Sequence, residues 1–348
     1  MSPIPKSYLD IVQVCDNFSL ASPERGSDEP AAQFCDEPLV TWRLSPEPSS
    51  PAIGLLRPCV VEELRKETSG NWSFLLDGER PYISLSSALD TPAKRSAAMK
   101  ELCERWRDGG IFPGQISPKK WRGEMYPVYR KPFGPMDAPQ EGADVDEDSR
   151  NYAFMMERAA CSVFGVVTYG VHMTVYHEEV IDGERSCRIW VPRRAKTKQT
   201  WPGLFDNTVA GGIPSGLSVF ECTVKESMEE ASIPEDIVRT YAQPVGVISY
   251  FYRTTAGWLQ PEVEYVYDIR IPSHVPFEPK PSDGEVESFE CLPMADVIPL
   301  MLSRQFKPNC AMVILDFMIR LGFLLPEDEP NYLEIVTRLH GRFDYDKW

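Results

Sequence analysis

Cationic side chains are in short supply in this chain of 348 residues: 36 Lys and Arg stand against 52 Asp and Glu, for a formal net charge of -16. A nucleic-acid backbone or an anionic membrane surface demands a positive footprint, so neither is expected as a main partner. A phosphate-bearing small molecule stays open wherever a metal ion or a local cluster of Lys and Arg screens the acidic groups. Paired cysteines are lacking as well. The nine cysteines include no Cys-x-x-Cys and no metal-ligand spacing, and their odd number suits reduced thiols. No run approaches the roughly 18 apolar residues of a membrane span. The opening "MSPIPKSYLDIV" has no basic region followed by an apolar core, so the expected location is cytoplasmic.

Apolar residues make up 43% of the chain, enough to bury a sizeable core, and the length suits two domains. Residues 1–130 read as a smaller α/β N-terminal accessory domain. Its clearest helix is "DTPAKRSAAMKELCERWRDGG", with Asp90 or Thr91 as cap, Pro92 in the first turn and Gly109 at the stop. Met99, Leu102, Cys103 and Trp106 recur at helical spacing and should face a core. Residues 131–156, rich in Pro, Gly and Asp, read as an acidic linker or insertion. From about Glu157 the pattern turns strand-like in "RAACSVFGVVTYGVHMTVYHEE", "RSCRIWVPRR" and "EYVYDIRIPSHVP". "NCAMVILDFMIRLG" reads as a buried helix with Asn309 as cap and Gly322 as stop. Residues 157–325 are thus expected to form an α/β sandwich, with 326–348 as a C-terminal tail.

Within that second domain, "AGGIPSGLSVFECTVKESMEEASIP" sets Glu226, Glu229 and Glu230 close together after three glycines. On a helix from about Ser218 to Ser232 the three would share a patch and repel, so a compensating charge is expected. Phe220, Val224, Met228 and Ala231 fall on the opposite face, which suits packing. Lys225, four residues from both Glu221 and Glu229, softens the repulsion. Gly211 and Gly212 let backbone approach a ligand closely. Upstream, "WVPRRAKTKQTWPG" gathers Arg193, Arg194, Lys196 and Lys198 beside Trp190 and Trp201. Taken singly, these are a solvated helix face and a basic surface turn. Together they offer carboxylates for a hard divalent cation, cations for phosphate oxygens and aromatics for a flat ring.

These residues resemble the box of the Nudix hydrolases. Gly211 matches its first glycine, Glu226, Glu229 and Glu230 its three acidic helix positions, and Ile233 its terminal apolar residue. Leu217 stands where the box has its first Glu, Lys225 replaces Arg, Ser227 an apolar residue and Ser232 the last Gly. "FGVVTYGVHMTVY", "IWVPRRAKTKQTWPGLFDNTVAGG", "DGEVESFECL" and "FKPNCAMVILDFMIRLGF" are similar to the fungal and plant Nudix branch that also occurs fused to thiamine pyrophosphokinase. "LLRPCVVEEL" and "KKWRGEMYPVY" resemble the N-terminal domain of that branch.

The resemblance implies a Nudix α/β/α sandwich with a mixed sheet, and hydrolysis of thiamine diphosphate, or its damaged oxo and oxy analogues, to the monophosphate. With the sequence ending at Trp348, no kinase domain is expected in it. Glu226, Glu229 and Glu230 are implied to hold Mg2+ or Mn2+, and Glu226, Glu230 or Glu285 to act on the attacking water. Arg193, Arg194 and Lys198 are the candidates for phosphate oxygens. Gly211 and Gly212 would border the substrate. Trp201 and Trp190 are candidates to stack on a ring, Trp190 being equally suited to a core. His172 reads as a structural strand histidine, and Lys307 as a loop lysine near a helix start, the alternative being a contact to a substrate phosphate. Oxidised nucleoside diphosphates such as 8-oxo-dGDP, ADP-ribose-like dinucleotides and a non-catalytic diphosphate sensor are the alternatives. A monomer or homodimer is expected.

Overall fold

The computed structural model describes residues 7–18, 37–77, 81–137, 150–181 and 183–343. Its central sheet grows from long runs of β-branched and aromatic residues. Strands β7 (Thr168–Ile181) and β11 (Leu259–Arg270) lie parallel and mostly buried, as a strand covered on both faces requires. Around them run β8 (Glu184–Arg194), β10 (Ala242–Arg253) and β12 (Val286–Pro293), in the order β10-β11-β7-β8-β12. The short β9 (Val209–Gly212) pairs antiparallel with β7.

Helices cover both faces of this sheet. Val224 and Ala231 of α5 (Val219–Ala231) and Val238 of α6 (Glu235–Tyr241) pack on Met173, Val175 and Ile269. On the other face, α7 (Met294–Leu302) and α8 (Pro308–Arg320) pack on Ile189, Val191 and Val266. This is the mixed α/β/α sandwich expected from the sequence.

The smaller N-terminal domain has a sheet in the order β2-β1-β4-β3, from β1 (Val40–Arg43), β2 (Ala52–Leu56), β3 (Trp72–Leu75) and β4 (Tyr82–Leu85). Helices α2 (Pro58–Arg65) and α3 (Pro92–Asp108) complete it. Helix α3 runs as read from the sequence: the Thr91 hydroxyl accepts from the Lys94 N–H, Pro92 opens the helix, and Met99, Leu102, Cys103 and Trp106 are buried. Trp258 reaches from the β10–β11 turn into this core, against Phe112 and under the Arg57 guanidinium.

Several expectations are corrected. The stretch 131–156 is not all linker: β6 (Tyr152–Glu157) pairs with β5 (Met125–Tyr129) and buries Phe154 and Met156, an apolar hexamer hidden by the acidic residues before it. Residues 138–149 of that stretch lie outside the described residues. "RAACSVF" is a 3-10 turn and the short helix α4 (Cys161–Phe164) rather than strand, closed by Gly165 at φ 58°. Helix α1 (Tyr8–Cys15) packs in the core of the large sandwich, not on the N-terminal sheet. So does α9 (Tyr332–Leu339), inside the expected tail, and Arg338 pairs with Asp16 at 2.9 Å. Finally, Lys307 rather than Asn309 caps α8, because the Asn309 amide turns inward to other partners.

Candidate active site

Helix α5 starts where the Ser218 hydroxyl accepts from the Glu221 N–H at 3.3 Å. Its buried face is Cys222, Thr223, Val224, Ser227 and Ala231, with the Ser227 hydroxyl donating to the Thr223 carbonyl at 2.6 Å. Met228, expected inside, is 46% exposed. Packing on these small residues turns Glu226 and Glu230 toward β9 and leaves Glu229 exposed.

Glu226 lies against Gly211, where a Cβ would come closer than 3.0 Å to its carboxyl group. The Ala210 N–H donates to Glu230 Oε2 at 3.0 Å. Burial, then the charge of Asp206, pushes the Glu230 carboxyl up to about 8. Burial also raises Glu226, against the pull of Lys225. The Lys225 ammonium lies 3.1 Å from Glu226 and 2.6 Å from Glu229 and supplies the compensating charge. Among the described residues no compact group of three or more His, Cys, Asp or Glu stands as a finished metal cage. The donor set nonetheless fits a hard divalent cation. Three hard oxygen donors stand on one helix, and the ammonium already bridges two of them.

Beside β9 opens a cavity of about 600 Å3, whose lining includes Ala210, Gly211 and Gly212 but none of the three glutamates. The β9 backbone is therefore the wall shared by the cavity and the acidic helix. Both domains build the remaining walls. The N-terminal half supplies Lys120, Arg122, Tyr126 and Arg158, and the sandwich supplies His172, Tyr250, Glu262, Glu264, Lys307 and Asn309.

The sequence of the large sandwich matches the NUDIX domain family over residues 172–310, and residues 49–136 match a domain of unknown function, DUF4743. Nudix hydrolase 20, chloroplastic, of Arabidopsis thaliana is 36% identical over 296 residues, 83% of this chain and 71% of that protein. The chain belongs to the Nudix hydrolase family. An uncharacterized Saccharomyces cerevisiae protein is 38% identical over 240 residues, 65% of this chain and 63% of its own. The chain thus spans between 63% and 71% of the length of these two curated relatives. A crystal structure of a C. elegans Ap4A hydrolase complex covers 45% of this chain and 99% of that one, at 12% identity and a TM-score of 0.32. Among the described residues no helix is long and apolar enough to cross a membrane.

The departures from the Nudix box have local accounts. Ser232, in place of the closing glycine, takes the left-handed φ of 51° and its hydroxyl donates to the Lys280 carbonyl at 3.0 Å. Leu217, in place of the early glutamate, packs against the apolar cluster around Ile213 and Cys222.

The basic segment before the Nudix box is used differently from the sequence expectation. Arg194 is buried, ion-paired to Asp206, and donates to the carbonyls of Trp201 and Thr200 at 3.1 Å each. Its guanidinium is committed to holding this loop and is not open to phosphate. Arg193 lies over the Phe205 ring, 4.0 Å from its centroid, and donates to the Gly203 carbonyl. Lys198 pairs with Glu285, and its charge also bears on Glu230, so these two do stand near the acidic helix. Trp201, 40% exposed, lines the cavity, whereas the Trp190 indole N–H donates to His177 and packs beside Phe277.

The cavity also holds two residues that the sequence reading gave no catalytic role. His172 Nδ1 bonds Asn207 Oδ1 at 2.6 Å, and its Nε2 lies 3.6 Å from Glu264. Lys307 lines the cavity as well. Burial works against its charge, but the surrounding Cys310, Asp206 and Glu264 outweigh that and raise its pKa. A lone strand histidine and a single loop lysine carry no spacing signal, so only the fold brings them together.

Proposed function

We propose that the protein hydrolyses the diphosphate of thiamine diphosphate, or of its oxo and oxy analogues, to the monophosphate and free phosphate, in the cytoplasm. Water adds to one phosphorus, the bridging P–O bond breaks, and the bridging oxygen leaves with the other phosphate. The observation that carries this reading is the pair Glu226 and Glu230, drawn against the glycine-rich wall of the cavity. Glu226, Glu229 and Glu230 would hold Mg2+ or Mn2+, which when bound neutralises charge on the diphosphate and acidifies water. Glu226, Glu230 and Glu285 are the candidates to act on the attacking water. Lys307, with Lys120 and Arg122 from the N-terminal domain, faces the cavity and is suited to phosphate oxygens. Lys198 stays a candidate for phosphate oxygens and Glu285 for the attacking water.

The thiamine assignment rests on the resemblance of the flanking segments to the thiamine-linked Nudix branch. One observation favours a second reading, a diphosphate-binding sensor that does not cleave: Lys225 already occupies Glu226 and Glu229. Phosphate release from thiamine diphosphate in Mg2+, measured for the wild type, Glu229→Gln and Glu230→Gln, separates the two, and none from the wild type favours the sensor. Loss of turnover in both supports hydrolysis. Unchanged turnover in both removes these residues from the chemistry.

A further inference from the structure

In the sheet, Gly170 of β7 stands opposite Gly212 of β9 on one side and Glu264 of β11 on the other. Alternation puts Glu262 on the same face as Glu264. Each glycine leaves room that a polar group fills. The Tyr126 hydroxyl lies over Gly212 and the Glu264 carboxylate over Gly170, both closer than 3.0 Å to where a Cβ would be. A larger residue at either position would evict them. Tyr126 comes from the N-terminal domain, is 3% exposed, lines the cavity, and has a hydroxyl with no hydrogen-bond partner among the described residues. A buried hydroxyl left so costs about 1–3 kcal/mol, which a ligand acceptor would remove.

Across the cavity the hydrogens are also too few. The single Tyr250 O–H faces both Glu262 and Glu264, while Asn309 Nδ2 donates to the Tyr250 oxygen at 3.0 Å and lies 3.4 Å from Glu264. Glu264 further has His172 beside it, so among the described residues Glu262 has the fewer hydrogen-bond donors of the two. Burial, then the Glu264 charge, raises the Glu262 carboxyl, whose protonated form can donate and whose charged form can accept. Tyr126 and Glu262 both line this cavity, so the two groups face one space.

Resting on the proposed hydrolysis, we propose that Tyr126 and Glu262 are the two polar arms of a head-group pocket. It takes a flat heterocycle that offers an acceptor to the phenol and an N–H or amino donor to the carboxyl, as an aminopyrimidine edge does. The N-terminal domain is thereby half of the specificity site, with the diphosphate directed over β9 toward the acidic helix.

Tyr126→Phe and Glu262→Gln test this, with kcat and KM measured on thiamine diphosphate, its oxy analogue and a short alkyl diphosphate without a ring. Calorimetric binding of thiamine monophosphate runs in parallel. Tyr126→Phe should lower selectivity for thiamine diphosphate over the alkyl diphosphate about tenfold, chiefly through KM, and weaken monophosphate binding alike. Glu262→Gln should shift the preference between the amino compound and its oxy analogue, which carries a carbonyl there. Equal losses on ringed and ringless substrates, or unaltered selectivity in both variants, would overturn the pocket. If the wild type cleaves none of the three, the proposed hydrolysis fails while monophosphate binding still decides the pocket. Weaker binding in Tyr126→Phe then upholds it, and no binding by the wild type overturns it.

Discussion

Gly211→Ala isolates the part played by the glycine wall. Gly211 does not adopt a left-handed φ, so alanine is acceptable to the backbone and the perturbation is steric. The new methyl would meet Glu226 closer than 3.0 Å, and ordinary contact begins at 3.4 Å, so the carboxylate must retreat. A misplacement of about 1 Å at a reacting centre costs on the order of 100-fold in rate, or about 2.7 kcal/mol of barrier. The fold should lose much less, because the Glu226 side chain is partly accessible and can swing. The assay is kcat/KM for phosphate release in Mg2+, with thermal unfolding of the same samples. Glu226→Ala supplies the second axis: if Gly211→Ala acts by displacing that carboxylate, it should add little in the Glu226→Ala background. Wild-type activity in Gly211→Ala, or full additivity with Glu226→Ala, would refute the reasoning.

Three further outcomes follow from the geometry. The Glu230 carboxyl is raised from its unfolded value of 4.5 to about 8, so its contribution is fully present below pH 4.5 and is lost as pH rises through 8. In EDTA the melting temperature should therefore fall across that window, less steeply in Glu230→Gln, and added Mg2+ should restore it most at the alkaline end. A melting temperature whose pH slope is the same in Glu230→Gln would contradict this. Asp206→Asn strips the buried Arg194 of its counter-charge and should cost about 3–5 kcal/mol in urea unfolding; a loss below about 1 kcal/mol would mean that the pair is solvated. Lys225→Met removes the ammonium that competes for Glu226 and Glu229, so the Mg2+ concentration for half-maximal binding should fall several-fold by titration calorimetry. A rise would instead make Lys225 a brace for these carboxylates.

How much was legible depended on whether the signal was local. Helix α3 declared both ends and its buried face, since Thr91, Pro92 and the Met99-to-Trp106 spacing all act within one element. The start of α5 was equally readable from Ser218, and the glutamates from their spacing. Its buried face was only half readable: Val224 and Ala231 were, but Thr223 and Ser227 are polar and enter the interior only by satisfying hydroxyls within the helix. Arg194 was misread for a related reason: its partner Asp206 sits a dozen residues away across a loop, and nothing local marks the pair. The cavity was the least visible feature. Tyr126, Gly170, Glu262 and Lys307 are separated along the chain and meet only through the strand register and the packing of two domains. Gly211 and Gly212, read as places where backbone approaches a ligand, act as spaces filled by Glu226 and Tyr126.

The most direct test of the account is phosphate release in Mg2+ from thiamine diphosphate, oxythiamine diphosphate, 8-oxo-dGDP and ADP-ribose, the last coupled to a phosphatase. The account predicts faster turnover of the two thiamine compounds than of either nucleotide. Faster turnover of 8-oxo-dGDP or ADP-ribose would contradict the thiamine assignment, and no turnover of any of the four, with thiamine diphosphate still bound, would contradict hydrolysis itself.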